Sequence, residues 1–497
     1  MHARRVRRPG ESARVVRRPI QSPSATPRRR SYPRATERST AFAPDDIRRT
    51  IAAAASAVIP GLGQLINGRL RLARWFAIPA LTILVVAALL IAANSPARLF
   101  ASIISPTAMG LVLALNAVVL VWRLASVVHA FFDGRYAPRS GRAGAAGLGL
   151  ILVAIVVPHG IANAWGNDAQ AAFRNVFAER GNSGPGQEVA STVGEPGSNE
   201  RLNILLVGVD SFAGRTETLS DTLMVVSLDP VGNTVSMISL PRDIIGVPLG
   251  NGDTFGPKIN ALMSYADRHP KDFPDGGMRT LENAIGAMLG IPIHYYARID
   301  FVGFVEMIDS VGGVDINVAH DFYDPKYDGL GVNPPNEYGW GVKAGPNHFG
   351  GYEALAYARS RYAIGESDFT RAARQQEIIL ALRTKMMSAG SLLTSVPSML
   401  SAFGHLLTTD VPTHRLPDLA AIADELGPNS FYRMVLGHPL VMPGNDPRYG
   451  SVQIPDLPKI QAAVAAILPS PGQTPVAWPD TAPAGDAAAA PAASKAP

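Results

Sequence analysis

Three apolar segments in the first third of the chain constrain its fold more than any other feature. They run from Trp75 to Ala93, from Thr107 to Val128 and from Ala143 to Trp165, and each approaches or reaches the ~20 residues that a helix needs to cross a bilayer. Only 17% of the residues are charged, below the ~25% typical of soluble domains. We therefore expect an all-α transmembrane region within residues 51–166 rather than a buried hairpin of a soluble domain.

The arginines around these segments predict their orientation. Residues 1–50 are rich in Arg, Pro, Ser and Thr without apolar periodicity, which is typical of a disordered arm. The loop from Asp133 to Arg142 carries three arginines, whereas the loop between the first two segments carries only Arg98. By the positive-inside rule, the arm and the 133–142 loop are cytoplasmic, and the chain after Trp165 is extracytoplasmic. Nucleic-acid binding by the arm is the alternative interpretation.

A shorter apolar stretch, Ile51 to Ile66, precedes these segments and contains Pro60-Gly61-Leu62-Gly63-Gln64. It is basic on both flanks, so both ends favour the cytoplasmic side. This pattern predicts a re-entrant or surface-lying segment. A full crossing would invert the topology.

Two segments of low apolar content delimit a globular region at residues 201–466. Residues 167–200 are rich in Gly, Ser, Pro, Glu and Gln and are expected to form a linker, and residues 467–497 form an Ala/Pro tail. The chain has no cysteine, which excludes disulfides and thiolate zinc sites.

The globular region begins with three predicted strands. Leu202 to Val209 is an apolar run of strand length, and Thr222 to Leu228 and Thr234 to Leu240 are joined by a hairpin turn signal. If Leu228 pairs with Thr234, Asp221 lies opposite Pro241 and next to Arg242. If the first strand also runs in the direction of the third, Asp210 reaches the same sheet edge.

That edge would gather the side chains of Asp210, Asp221, Arg242 and Asp243. Two adjacent carboxylates without a cation would force one to take up a proton, so a hard divalent ion is the natural occupant. Mg²⁺ is the usual choice where phosphates supply the other ligands. The alternative is that each aspartate only caps a turn.

The stretch from Ala358 to Gln376 concentrates four arginines, Arg359, Arg361, Arg371 and Arg374. Gly365 is expected to form a turn and Asp368 to cap a helix that places Arg371, Arg374 and Gln375 on one face. Crowded guanidinium groups repel one another unless an anion neutralises them, and their forked geometry suits phosphate. A solvated basic face with internal ion pairs is the alternative.

Taken in order, these residues resemble the LytR-CpsA-Psr family over about Leu202 to Arg383. The motifs that carry the resemblance are Leu205-Leu206-Val207-Gly208-Val209-Asp210, Ser220-Asp221-Thr222, Ser239-Leu240-Pro241-Arg242-Asp243, Lys258-Ile259-Asn260, Ile299 to Asp309, Val311-Gly312-Gly313-Val314 and the arginine-rich stretch. The resemblance implies an extracytoplasmic α/β/α catalytic domain with a mixed sheet. It also implies transfer of a glycopolymer from a polyprenyl-pyrophosphate carrier to the cell wall, commonly to peptidoglycan, with release of polyprenyl phosphate.

The resemblance also implies a role for each site residue. Asp210 and Asp221 would hold Mg²⁺, and four arginines would clamp the pyrophosphate. Arg374 and Gln375 would be further binding residues or would only position their helix. Lys258 would contact the substrate or would only begin a solvated helix. Asp243 would be a general base or would hold Arg242, and Asp300 would cap a helix that Gly312-Gly313 ends. The four clamp residues are Arg242, Arg359, Arg361 and Arg371.

The chain also departs from the family pattern. Leu219 replaces an arginine common before Ser-Asp-Thr, with Arg215 as a substitute, and the loop from His320 to Asn347 is expected to be an enlarged substrate-side loop. Apolar helices at Ile259–Arg268 and Met278–Leu289 are expected to build the lipid pocket, although a plain core has the same pattern. A polyprenyl-pyrophosphate hydrolase and a membrane-bound regulator are the competing functions, and no nucleic-acid partner is expected.

Overall fold

The computed structural model describes residues 45–94, 98, 99, 102, 106–136, 139–176, 194–210, 218–328, 337–387 and 407–478. Most of the predicted arm and tail and half of the predicted linker lie outside these residues, together with Arg215 and part of the 320–347 loop. The helices are α1 (Asp46–Val58), α2 (Leu62–Ile66), α3 (Leu70–Ala93), α4 (Pro106–Phe131), α5 (Arg142–Val176), α6 (Leu262–Arg268), α7 (Gly276–Leu289), α8 (Phe301–Ser310), α9 (Gly351–Arg359), α10 (Asp368–Met387), α11 (Leu416–Glu425) and α12 (Leu457–Ile467). The strands are β1 (Leu202–Asp210), β2 (Leu219–Asp229), β3 (Thr234–Leu240), β4 (Val247–Pro248), β5 (Thr254–Phe255), β6 (Tyr295–Asp300), β7 (Val314–Val318), β8 (Phe322–Asp324), β9 (Trp340–Val342), β10 (Gly345–Phe349), β11 (Leu407–Thr409), β12 (Phe431–Val435), β13 (Val441–Asp446) and β14 (Gly450–Pro455).

The centre of the globular region is a six-stranded mixed sheet in the order β11-β6-β1-β2-β3-β12. Strand β1 is antiparallel to β2 and parallel to β6, and β3 is antiparallel to β2 and parallel to β12. The three predicted strands are therefore confirmed, and β1 and β3 run in the same direction.

Helices cover both faces of this sheet, because its central strands are apolar on both sides. Leu205 and Ile238 face a core formed with α6, α7 and α12, where Ile285 is fully buried. Met224 and Met237 face the opposite side, where Ile379 of α10 packs against them. The α/β/α sandwich is therefore confirmed.

The hairpin between β2 and β3 differs from the predicted register by one residue. Thr234 pairs with Asp229 rather than with Leu228. The Asp229 carboxylate accepts hydrogen bonds from the backbone N–H groups of Val231 and Gly232, both at 3.0 Å, so the strand continues through Asp229 into a side-chain-capped turn. Continued two residues past the Leu223–Leu240 pair, this register puts Asp221 opposite Arg242 rather than opposite Pro241.

The three predicted apolar segments form α3, α4 and α5. Among the described residues, these three helices are long and apolar enough to cross a membrane. Helix α1 has 13 residues, fewer than a crossing requires, and it packs against α4 and α5.

The Pro60–Gln64 motif between α1 and α3 lets the helices of the membrane region pack closely. Gln64 is fully buried, donates to the carbonyl oxygen of Ser126 at 2.8 Å and accepts from the Ser56 hydroxyl at 3.1 Å. At Gly63 a Cβ atom would lie 2.0 Å from the carbonyl oxygen of Ala52, so only glycine fits. Close approach of the helices therefore explains both residues.

Candidate active site

A cleft of about 510 Å³ opens at the sheet edge where β1 ends and β2 begins. The structure thus brings together most of the predicted site residues, and the members that line the cleft are Asp210, Asp221, Arg242, Arg359, Arg361, Arg371 and Gln375. Arg374, Lys258 and Asp243 lie outside its lining.

Arg242 and Asp221 form an ion pair at the base of the cleft, because the hairpin register places them opposite each other. Burial disfavours the charge of Arg242, but the Asp221, Asp243 and Asp368 carboxylates outweigh this effect and raise its pKa. Among the described residues, the buried Nε atom of Arg242 has no hydrogen-bond partner. Arg242 therefore keeps one buried donor available to an anion.

Arg371 lies on the first turn of α10 and is only 6% exposed. Burial lowers its pKa, and the nearby charge of Arg242 acts in the same direction. Its Nη1 atom lies 2.9 Å from Asp368 Oδ1. Two arginines whose charges act on each other in a largely buried site favour an anion between them.

The helix cap in this stretch differs from the prediction by one residue. Ser367, not Asp368, caps α10, because its hydroxyl accepts from the backbone N–H of Thr370 at 3.2 Å. Asp368 is the first helical residue and is therefore free to pair with Arg371.

Arg359 and Arg361 lie on the side of the cleft next to the 320–347 loop. The Arg359 guanidinium carbon is 4.5 Å from the Phe301 ring centroid, and Nη1 is 3.4 Å from Asp328 Oδ2. Arg361 Nη2 donates to the Tyr362 hydroxyl at 3.2 Å. Arg359 is thus held by a carboxylate and an aromatic ring, whereas Arg361 contacts a neutral hydroxyl.

The structure does not bring Arg374 to the cleft, contrary to its predicted place among the binding residues. It is 6% exposed, its Nη2 atom lies 3.0 Å from Glu366, and it donates to the carbonyl oxygen of Ser360 at 2.5 Å. Gln375 does line the cleft and donates to the carbonyl oxygen of Ala358 at 3.3 Å. Arg374 therefore supports the backbone that carries the cleft arginines.

Lys258 and Asp243 pair with each other at 3.0 Å. Asp243 thus forms its ion pair with Lys258, while its charge still acts on the neighbouring Arg242. The backbone N–H of Asn260 donates to the carbonyl oxygen of Arg242 at 3.2 Å, so this segment supports the strand end that carries Arg242.

The apolar wall of the cleft comes from helices that were not predicted to form it. Phe304, Met307, Leu355, Ile378 and Leu382, from α8, α9 and α10, line the cleft. The predicted pocket helices, 259–268 and 278–289, pack instead into the core on the opposite sheet face. Their apolar residues pack against the sheet. A sequence pattern cannot distinguish apolar residues of a core from those that line a pocket.

Helix α8 is positioned as predicted. The Asp300 carboxylate accepts from the backbone N–H of Gly303 at 2.8 Å and caps the helix. Gly312 and Gly313 have φ values of 78° and 82° and end it, since this conformation favours glycine.

Asp210 and Asp221 would bind Mg²⁺ only if a bound ligand supplied further oxygen atoms. Asp210 and Asp221 both line the cleft, but the described residues contain no group of three or more His, Cys, Asp or Glu side chains that would hold a metal alone. Mg²⁺ is commonly bound by one or two carboxylates with phosphate oxygens and water completing the octahedron. This donor set therefore suits an ion that binds with a diphosphate.

Sequence reasoning missed Asp324 and Tyr327, which also line the cleft. Burial raises the pKa of Tyr327 to about 12, so its hydroxyl remains protonated. Both residues lie in the 320–347 loop, and their only signal was the aromatic and acidic composition of that loop.

The fold and cleft define a membrane-anchored α/β/α protein whose site combines carboxylates, arginines and an apolar wall. Residues 172–433, just over half of the chain, match the LytR_cpsA_psr family, and the chain belongs to this family. The predicted family is thus confirmed.

Two curated relatives and one solved structure show what the chain is similar to. The polyisoprenyl-teichoic acid–peptidoglycan teichoic acid transferase TagV of Bacillus subtilis (strain 168) is 39% identical over 192 residues, which are 38% of this chain and 45% of TagV. The transferase TagU of Bacillus anthracis, which has the same descriptive name, is 31% identical over 230 residues, 46% of this chain and 67% of TagU. The crystal structure of B. subtilis TagV is 29% identical and covers 54% of this chain and 96% of that chain, with a TM-score of 0.43. The sequence match to TagV thus spans less than half of that protein's length.

Proposed function

We propose that the protein is a phosphotransferase that attaches a polyprenyl-pyrophosphate-linked glycopolymer to the cell wall and releases polyprenyl phosphate. The single observation that carries this proposal is the cleft, where Arg242, Arg359, Arg361 and Arg371 meet two carboxylates and an apolar wall. An amphiphilic diphosphate has this combination of charge and apolar surface. The transferase names of the relatives TagV and TagU support the same class of donor and acceptor.

Three of the four cleft arginines pair with carboxylates. Arg242 pairs with Asp221, Arg371 with Asp368 and Arg359 with Asp328. A diphosphate presents more acceptor oxygens and more charge than any one carboxylate, and guanidinium groups bind it through parallel hydrogen bonds. Bound diphosphate would therefore draw these arginines together around its oxygens.

In the proposed reaction, a hydroxyl of the wall acceptor attacks the phosphorus that carries the glycan. A new bond forms between the hydroxyl oxygen and this phosphorus, and the bond from the phosphorus to the bridging oxygen breaks. Polyprenyl phosphate leaves, and the hydroxyl proton is released. Negative charge grows on the bridging and non-bridging oxygens, where the arginines stabilise it.

Asp210 and Asp221 would hold Mg²⁺ in this site. The ion would supply charge neutralisation at the diphosphate oxygens. The apolar wall from α8 to α10 would receive the first units of the prenyl chain, and the open end of the cleft would admit the acceptor.

The proposed location is the cell membrane, with several spans, a cytoplasmic basic arm and an extracytoplasmic catalytic domain. The loop between α3 and α4 contacts the α/β domain, because Arg98 Nη2 lies 3.1 Å from Glu425 Oε1. This contact supports an extracytoplasmic position for the loop between α3 and α4, which carries a single arginine, in line with the positive-inside rule.

The function is tested with the full-length protein in detergent, Mg²⁺, a polyprenyl-diphosphate-linked radiolabelled disaccharide and peptidoglycan. Transfer of the labelled sugar phosphate to insoluble peptidoglycan supports the proposal. Release of soluble sugar phosphate at the same rate with and without peptidoglycan refutes it and assigns the site to a hydrolase. Arg371→Gln should slow the transfer about 10²- to 10³-fold.

A further inference from the structure

A single buried carboxylate joins the 320–347 loop to the segment that carries two of the cleft arginines. The Asp324 side chain is 1% exposed. Its Oδ2 atom accepts from the backbone N–H groups of Arg361 at 2.7 Å and Tyr362 at 3.1 Å, and Oδ1 accepts from that of Lys326 at 2.9 Å. Charge-assisted bonds of this kind are about twice as strong as neutral ones, so Asp324 fixes the two segments relative to each other.

The segment that Asp324 holds has little regular structure of its own. Helix α9 ends at Arg359, and the chain turns at Gly365, with φ +81°, before α10 begins. Helix α10 holds this segment from one side through Arg374, which donates to the carbonyl oxygen of Ser360. Asp324 also holds it, through the backbone N–H groups of Arg361 and Tyr362, two residues that lie outside the described helices and strands.

Residues 324–328 of the 320–347 loop also contact the side chain of Arg359. The Arg359 guanidinium carbon lies 5.8 Å from the Tyr327 ring centroid, and Nη1 lies 3.4 Å from Asp328. Residues 324–328 therefore touch the backbone at Arg361 and the side chain of Arg359.

We propose that Asp324 is a positioning residue that fixes Arg359 and Arg361 for anion binding. This inference rests on the diphosphate site proposed above. Asparagine at position 324 would keep the shape but offer one acceptor oxygen instead of two, and its amide would face N–H donors. At least one of the three backbone contacts would be lost.

The test measures binding of geranylgeranyl pyrophosphate with Mg²⁺ to the full-length protein by calorimetry. Asp324→Asn should weaken binding roughly ten- to hundredfold, as expected for lost hydrogen bonds to a charged group. It should also speed trypsin cleavage after Arg361, while the melting midpoint stays within a few degrees. A merely structural role would lower the melting midpoint without this local change.

Asp321→Asn is the matched control. Asp321 lies in the same loop and its carboxylate accepts from the backbone N–H of Ala344 at 2.6 Å, but it does not line the cleft. Binding and cleavage should be unchanged in this variant. Equal affinities of Asp324→Asn and Asp321→Asn would overturn the proposal.

Two further variants keep the outcomes distinct. If Asp324→Asn does not fold, Asp324→Glu retains the charge but displaces the oxygens, and normal affinity in that variant would overturn the positioning role. Arg359→Ala tests the site itself. Normal binding by Arg359→Ala would refute the diphosphate site, whereas lost binding there with normal binding by the Asp324 variants would refute only the positioning role.

Discussion

Replacing Arg371 by glutamine should slow transfer about 10²- to 10³-fold. The side chain of Arg371 is 7% exposed, so its charge acts in a largely dry site where water cannot replace it. Loss of one buried donor to developing oxyanion charge costs about 2.7–4 kcal/mol of transition-state stabilisation, which gives this range. The folded state should lose much less, about 1 kcal/mol, because the partner Asp368 is 28% exposed and can be solvated.

The assay is single-turnover transfer of labelled sugar phosphate to peptidoglycan, with a thermal melt of each variant. Arg383→Gln is the matched control, because Arg383 lies on the same helix but donates to the carbonyl oxygen of Leu426 at 2.6 Å, outside the cleft. It should lower the melting midpoint and leave the rate per folded molecule unchanged. A less than threefold loss of rate in Arg371→Gln would refute the assigned role of Arg371.

Three further predictions concern other parts of the molecule. Asp210→Asn and Asp221→Asn should each raise the Mg²⁺ concentration for half-maximal transfer more than tenfold, and an unchanged Mg²⁺ dependence would exclude these ligands. Gly63→Ala should destabilise the membrane region by about 1–3 kcal/mol in a detergent melt, because its Cβ would meet the Ala52 carbonyl, whereas Gly149→Ala, with nothing within 4 Å, should not. Burial raises the pKa of Tyr327 from its ordinary value of 10.0 to about 12, so the folded state favours the protonated hydroxyl. The resulting stability is complete below pH ~10 and is lost between pH ~10 and pH ~12, at about 1.4 kcal/mol per pH unit. Tyr327→Phe should remove this part of the alkaline loss, and identical pH–melting curves would contradict the buried-hydroxyl explanation.

Local signals were sufficient for the secondary structure around the site. Continuous apolar runs predicted β1 and β3, and Asp300 with Gly312-Gly313 predicted both ends of α8 to within a residue. These elements depend on burial periodicity, capping and backbone conformation, all of which are encoded within a few residues. The convergence of Asp210 and Arg242 followed from strand direction alone.

Contacts between distant segments were not predictable in the same way. Arg371 and Arg374 are two arginines three positions apart on one helix, yet only Arg371 lines the cleft. Arg374 contacts Glu366 and the carbonyl oxygen of Ser360 instead. Asp324 contacts a backbone 37 residues away, and a loop aspartate carries no sign of such a partner. The one-residue register error arose because the Asp229 side chain, not the hairpin length alone, sets the turn.

The central claim is that the cleft binds a polyprenyl diphosphate head group. The most direct test is a structure of the full-length protein with geranylgeranyl pyrophosphate and Mg²⁺. We expect the diphosphate between Arg242, Arg359 and Arg371, with the metal at Asp210 and Asp221 and the prenyl chain along α8 and α10. A diphosphate bound away from Arg242 and Arg359 would contradict it.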